Sequence, residues 1–144
     1  MPIQQHPPQA SLVTVNFDGG FRPPEMAKKR LAVVMSKPIQ RRVGLCTVIP
    51  LSTMPPNHVM PYHEEIDIGF DLPQPWERQC WVKGDMVMAV GFHRVDLLRF
   101  RKGRRGTKRY LVRPLDDATF RAVRRCMLHG LDLSVLTKNL TASI

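Results

Sequence analysis

The sequence has few aromatic residues and no long apolar segment. Aromatics make up 7% of the 144 residues, so an apolar core must rest mostly on valine, leucine, methionine and isoleucine. No apolar run approaches the roughly 18 residues that span a bilayer, and the proline- and glutamine-rich start does not resemble a secretory signal. Length and composition therefore predict one globular domain in the cytoplasm.

Cysteines and nucleotide-binding motifs are also scarce. The three cysteines, Cys46, Cys80 and Cys126, are far apart and form no CxxC pair, so we expect reduced, partly buried thiols. Two of them can be combined with His58 and His63 into a zinc site, but the ligand spacing typical of zinc is missing. Neither a P-loop nor a GxGxxG fingerprint occurs, which argues against nucleotide-driven chemistry. The sequence predicts no cofactor.

Acidic residues are few relative to basic ones. The 12 Asp and Glu are outnumbered by 22 Lys and Arg, for a net charge of +10. A single domain with this imbalance usually binds a polyanion, and RNA, DNA and acidic proteins are the candidates. Surplus charge that serves only solubility is the alternative. Charge alone favours nucleic acid.

Short apolar or alternating segments predict a mainly β domain. Continuous apolar runs of four to eight residues are typical of strands covered on both faces, and alternation is typical of half-buried ones. We predict strands at 12–17, 31–35, 45–51, 64–70, 79–82 and 85–90, followed by a hairpin at 99–112. Such a series, followed by one terminal helix, describes a small barrel rather than a parallel α/β sheet.

One helix is predicted near the end of the chain. Asp116 is a suitable N-cap, Gly130 a suitable stop, and Phe120, Val123 and Met127 form one apolar stripe. We expect an extended, poorly packed arm at 1–10, the domain itself at 11–133, and a tail at 134–144 with weak structural signals.

The predicted hairpin is strongly basic. Between Arg99 and Arg113, eight of fifteen residues are Lys or Arg and none is acidic. A run of one sign suits a row of phosphates, whereas a solvated face normally mixes signs. The alternative is a solvated loop tip with no ligand.

Polar residues also stand at the ends of several predicted strands. Arg30 precedes one strand, Ser52 and Thr53 follow the next, and Lys83 with Asp85 lies at the lip of a third. If neighbouring strands pair, these groups lie along one edge, where phosphoryl transfer on RNA would need a base, a fixed cation and a hydrogen-bond donor. Asp85 suits the base, Arg30 the cation, and either hydroxyl the donor. The alternative is a turn-forming aspartate and hydroxyls that merely end a strand.

Three histidines and one tryptophan are further candidate site residues. The loop at 52–63 holds three prolines, and such long loops are more often functional than accidental. His58, His63 and His93 are candidates for acid–base chemistry, although surface histidines without a function are more common. Trp76 is a candidate for stacking a base, and it equally suits a covered hydrophobic edge or a groove for a partner peptide.

Six stretches follow one another in a distinctive order: a strand, a loop with a glutamate, a strand entered from an arginine, a strand ending in proline and hydroxyls, a strand ending in a basic residue and an aspartate, and a helix. They are VTVNFD at 13–18, PE at 24–25, KRLAVVMS at 29–36, TVIPLST at 47–53, WVKGD at 81–85 and the helix at 116–129. Over residues 11–133 the chain thereby resembles the PemK/MazF toxins of type II toxin–antitoxin systems.

The resemblance implies a fold, an activity and partners. The fold would be an SH3-like β-barrel of the PemK/MazF/CcdB type with a C-terminal helix, acting as a homodimer. The activity would be sequence-specific, metal-independent cleavage of single-stranded RNA by 2′-hydroxyl transesterification, leaving a 2′,3′-cyclic phosphate. A cognate antitoxin would block the RNA groove.

The resemblance also implies site residues. The family's catalytic positions fall on Arg30, Ser52, Thr53 and Asp85. The RNA-contacting residues, to which the basic hairpin contributes, would be Glu25, Lys28, Lys29, Lys83, Arg101, Lys102, Arg104, Arg105 and Lys108. The chain departs from the family at Leu31, where proline is usual, and at Ser52, where threonine is commoner.

Two other functions remain open. The same barrel serves, by resemblance, in gyrase-poisoning toxins of the CcdB type, so the fold alone does not decide the activity. Such a poison would be toxic without cutting RNA. A plain basic RNA-binding module would bind RNA in a salt-dependent way and would not harm cells.

Overall fold

The computed structural model describes residues 2–100 and 109–141. In these two ranges the elements are β1 (Leu12–Asn16), β2 (Lys29–Val34), β3 (Leu45–Ser52), β4 (His63–Asp67), β5 (Gln79–Lys83), β6 (Met88–Gly91), β7 (Val95–Phe100), β8 (Arg109–Leu111) and α1 (Asp117–Gly130), with 3₁₀ turns at Gly84–Met86, Phe92–Arg94 and Ser134–Thr141. None of the helices in this part of the chain has both the length and the apolar character to cross a membrane.

The strands form one antiparallel arrangement centred on β3. The strand order is β4-β5-β3-β2-β1-β7-β8, and β6 pairs with β3 outside this path. The first half of β3 pairs with β6, from Leu45 opposite Gly91 to Val48 opposite Met88, and its end pairs with β5. The short turn Phe92–Arg94 leads from β6 into β7, which adds to β1. The predicted mainly β fold with a terminal helix is confirmed.

Two apolar clusters lie on the two faces of the central strands. Alternate residues of β1 divide between them: Leu12 joins the cluster under α1, and Val13 joins the cluster lined by β6 and β7. On β2, Leu31 and Ala32 divide in the same way. Burial on both faces explains the continuous apolar run of β2 from Leu31 to Val34, and each fully buried Leu or Val contributes about 1.5–3 kcal/mol.

Helix α1 follows the sequence prediction closely. The Asp116 carboxylate accepts a hydrogen bond from the Thr119 backbone N–H at 2.7 Å, and this bond lowers the pKa of Asp116. Phe120 and Val123 are buried, and Met127 packs against the same cluster. The predicted apolar stripe therefore faces the sheet.

The prediction of a poorly packed N-terminal arm is wrong. The Ile3 N–H donates to the Val95 carbonyl at 2.9 Å, and the Ala10 N–H donates to the Val34 carbonyl at 2.8 Å. His6 Nε2 lies 2.9 Å from the Ser36 hydroxyl. Prolines keep the arm extended, and the backbone groups that remain between them pair with the barrel.

Three element boundaries differ from the sequence prediction. The predicted strand 85–90 opens as a 3₁₀ turn, and β6 begins only at Met88. Strand β4 ends at Asp67, whose carboxylate accepts the Gly69 N–H at 2.8 Å and closes a turn. The weak signals after residue 134 correspond to a 3₁₀ segment, Ser134–Thr141, which continues from α1.

Candidate active site

Arg30 and Ser52 lie on the neighbouring strands β2 and β3. The paired register of these strands ends at Ala32 opposite Pro50, and Arg30 and Ser52 each lie two residues from that pair, toward the same edge of the sheet. These two residues and Thr53 line one small depression of about 60 Å³, together with Lys29 and Trp76. We call it the arginine depression. The guanidinium is half-buried, and its Nε donates to the Ala27 carbonyl at 3.1 Å, which fixes its approach.

A second depression begins on the other side of Ser52. Strand β5 pairs with β3 and β4, so that Ser52 lies opposite Trp81, and His63 lies opposite Lys83. Ser52, His63, Lys83 and Asp85 line a broad depression of about 650 Å³, whose remaining wall is the loop at 54–62. We call it the histidine depression. Since Ser52 lines both, the two depressions adjoin.

Two glycines hold the turn that carries Asp85 against α1. A side chain on Gly84 would overlap the Cys126 carbonyl, and a Cβ on Gly130 would come within 2.8 Å of Asp85 Cα. The Gly84 N–H also donates to the Tyr62 carbonyl at 3.0 Å. Because both glycines allow the turn to approach α1 closely, they fix the position of Asp85 at the edge of the histidine depression.

The ring of His63 is oriented by its own loop. Its Nδ1 accepts the Met60 N–H at 3.1 Å, which assigns the ring proton of the neutral form to Nε2. The Tyr62 ring meets it edge-on at 4.5 Å. Burial, and then the charge of Lys83, lower the pKa of His63 from its ordinary value, whereas Asp85 opposes this. At neutral pH His63 is therefore an uncharged hydrogen-bond donor.

The remaining predicted residues divide into three groups. Lys29 lines the arginine depression and Lys83 lines the histidine depression. Glu25 and Lys28 are exposed in the loop between β1 and β2 and line neither of the two. The predicted contacts of the hairpin tip lie outside the described residues; they are Arg101, Lys102, Arg104, Arg105 and Lys108.

The cysteines are separated in the core. Cys46 and Cys80 belong to different apolar clusters, so the zinc set drawn from the sequence is not brought together. Burial raises the pKa of both thiols to about 11, as expected for unreactive core cysteines. Within residues 2–100 and 109–141, no group of three His, Cys, Asp or Glu side chains is arranged to hold a metal.

The structure gives His63 a position that the sequence did not reveal. The sequence showed a histidine beside a proline-rich loop, and surface histidines are common. What distinguishes it is the pairing with Lys83 across β4 and β5. Alternation at 64–70 predicted β4, but no local pattern reveals which strand pairs with it.

Most of the chain matches one known protein family. Residues 9–129 match the family described as PemK-like, MazF-like toxins of type II toxin–antitoxin systems. The chain belongs to this family. The match confirms the resemblance seen in the sequence. The PemK/MazF-like family is a family of endoribonuclease toxins.

The chain is also similar to one curated protein. Over 106 residues the chain is 31% identical to YifN of Escherichia coli (strain K12), a protein named as uncharacterized; the match covers 71% of this chain and 67% of YifN.

Two solved structures are similar to the chain. One is an endoribonuclease in complex with its cognate antitoxin from Mycobacterial species, with a TM-score of 0.56, 13% identity and coverage of 89% of this chain and 97% of that chain. The other is MazF from Deinococcus radiodurans, with a TM-score of 0.54, 17% identity and coverage of 89% and 99%. At such identities the likeness shows the fold of the PemK/MazF-like toxins.

Proposed function

We propose that this PemK/MazF-like chain is a toxin that cleaves single-stranded RNA at specific sequences by metal-independent transesterification. The observation that carries the proposal is that Arg30, whose Nε donates to the Ala27 carbonyl, lines one small depression together with the hydroxyl residues Ser52 and Thr53. A cation and hydrogen-bond donors within one small depression suit the two non-bridging oxygens of a phosphodiester.

Each group has a role in the reaction. Arg30 remains protonated and stabilises the charge that builds up on the phosphate. Ser52 or Thr53 donates to a non-bridging oxygen, and Asp85 accepts the proton of the 2′-hydroxyl. As the 2′-oxygen bonds to phosphorus, the bond from phosphorus to the 5′-oxygen breaks, and that oxygen leaves with a proton from water.

The surrounding groups bind the rest of the strand. His63 offers its Nε2–H to a phosphate oxygen, and Lys29 and Lys83 supply positive charge on either side of Ser52. The basic hairpin would add contacts to the RNA backbone, as would Glu25 and Lys28 from their loop. We further propose a cytoplasmic homodimer whose RNA groove is blocked by a cognate antitoxin.

The test is incubation of the purified chain with a long RNA in EDTA, followed by mapping of the 5′ ends. We expect cuts at a recurrent sequence and products that end in a 2′,3′-cyclic phosphate. Arg30→Ala should slow cleavage by about a hundredfold or more. Arg22→Ala is the matched control, because Arg22 is exposed in the loop that precedes β2 and lines neither depression.

Three results would contradict the proposal. Equal cleavage by Arg30→Ala and the unaltered chain would remove the site assignment. Toxicity without any cleavage would favour a CcdB-like poison, and salt-dependent RNA binding without toxicity would favour a plain binding module.

A further inference from the structure

A third depression adjoins the arginine depression. It has a volume of about 480 Å³, and its walls include Trp76, Tyr110, Arg99 and Gln74. Lys29 and Trp76 line it and the arginine depression alike. We call it the aromatic depression. The volume lies within the range of about 300–1,000 Å³ that small-molecule sites occupy.

Its two aromatic side chains are held by different elements. Trp76 stands in the loop between β4 and β5, where its ring is half-buried and packs on the apolar cluster under α1. Tyr110 lies on β8, and 48% of its surface is exposed. The β7–β8 ladder sets Arg99 directly across from it. The partly buried Trp76, the exposed Tyr110 and the cation of Arg99 therefore all line the aromatic depression.

The chemistry of these walls matches an unstacked nucleobase. Proteins bind single-stranded RNA by stacking bases on aromatic faces beside cations that hold the backbone, and they read base edges with polar side chains. Trp76 and Tyr110 offer faces, Lys29 and Arg99 offer charge, and the Gln74 amide offers both a donor and an acceptor. Among the lining residues the two cations Lys29 and Arg99 outnumber the one carboxylate, Asp96, which makes RNA a better match than an apolar peptide.

We infer that the aromatic depression binds one base of the RNA, next to the linkage held at Arg30, and so selects the sequence that is cut. The inference rests on the proposed function, because continuity with the arginine depression defines the position of the base. Stacking on Trp76 supplies affinity, and the amide of Gln74 distinguishes one base from another.

The first experiment maps cut sites. Trp76→Leu keeps the apolar cover over the core while removing the aromatic face, and Trp76→Phe restores a face. We expect Trp76→Leu to relax the preference at one position beside the cut and to lower the cleavage rate about tenfold, the scale of one lost stack. We expect Trp76→Phe to restore most of both. Phe92→Ala, an aromatic truncation that lines none of the three depressions, is the control.

The second experiment measures binding without cleavage. The chain has two tryptophans, so Trp81→Phe leaves Trp76 as the sole indole fluorophore. A 2′-O-methyl oligonucleotide with the mapped sequence should quench its fluorescence, and the same oligonucleotide with one abasic position should lose that quenching.

The outcomes separate this inference from the proposed function. Unchanged cut sites in Trp76→Leu, or equal quenching by the abasic oligonucleotide, would overturn the base site while RNA cleavage stood. An unaltered chain that cuts no RNA would overturn the proposed function. Quenching by an acidic peptide, and by neither oligonucleotide, would make the depression a protein-docking groove and would also overturn the inference.

Discussion

The arginine and histidine depressions adjoin at Ser52, yet the fold holds them by different means. Arg30 lies on β2 and Ser52 ends β3, and the residues at which these two strands pair are buried on both faces. In contrast, Asp85 and His63 depend on packing against α1 and on a hydrogen bond within a loop. The positions of Arg30 and Ser52 should change only if the barrel unfolds. The positions of Asp85 and His63 should change with local substitutions as well.

This contrast predicts where substitutions act. Changes near α1 or in the loop at 54–62 should alter the histidine depression while leaving the arginine depression in place. Three measurements probe the difference, in descending order of expected effect.

Gly84→Ala should have the largest effect. The added methyl group overlaps the backbone of Cys126, so α1 must move away from the turn, at a cost of about 1–3 kcal/mol in the free energy of unfolding. The displacement moves Asp85, and a misplacement of about 1 Å can lower a catalytic rate about a hundredfold. Urea unfolding and RNA cleavage measure the two effects.

Gly44→Ala provides the control for Gly84→Ala. Gly44 has a φ of +89° and open space around its Cβ position, so the substitution strains the backbone far from both depressions. We expect reduced stability with normal cleavage. If Gly84→Ala and Gly44→Ala lose equal stability and both cleave RNA normally, the position of Asp85 does not depend on the packing of its turn against α1.

Mild acidification should act on the histidine depression. Because the folded protein binds a proton at His63 less readily than the unfolded chain does, stability should fall as the pH drops below about 6.5. Protonation also breaks the bond from Met60. His63→Asn keeps an acceptor for that N–H and cannot titrate, so its stability should be less sensitive to pH in this range.

Lys83→Gln tests the direction of the same effect. Removing the positive charge should raise the pKa of folded His63 toward its value in the unfolded chain, so the loss of stability below about pH 6.5 should be smaller than in the unaltered chain. Thermal unfolding between pH 5 and pH 8 measures both variants. A larger loss in Lys83→Gln would contradict the assigned coupling.

Substitution of Asp116 should have the smallest effect. Asp116→Ala removes the cap of α1 and should cost about 1 kcal/mol in stability. Because folding lowers the pKa of Asp116, its contribution is present above its usual pKa near 3.8 and is lost as the pH falls through the lower folded value. Asp116→Asn keeps a cap without titrating, so it should remove this acid sensitivity. Thermal unfolding from pH 2 to pH 6 distinguishes the three chains.

The sequence predicted the fold best where the pattern of apolar residues fits only one kind of element. The apolar run at 31–35 suits a strand covered on both faces, and the structure places β2 at Lys29–Val34. Asp116 and Gly130 bounded the helix because capping chemistry is local. The expectation that Arg30 and Ser52 share an edge followed from strands that are neighbours along the chain, and such strands usually pair.

Features that depend on distant contacts could not be predicted in this way. The turn at Gly84–Met86 forms against a helix that lies some forty residues further on, so alternation alone suggested a strand. The N-terminal arm packs because backbone groups of β2 and β7 are available to it. The approach of Trp76 to Tyr110 joins a loop to the final strand, and no local pattern indicates it.

The shared strand β3 lets chemistry and selectivity evolve apart. Arg30 and Ser52 lie on β2 and β3, outside the segment at 54–62 and the chain beyond Phe100. Under the proposed function, insertions in either place would reshape what the protein selects and leave the proposed cleavage site in place. A lineage built on this barrel can thus acquire new targets by lengthening its loops.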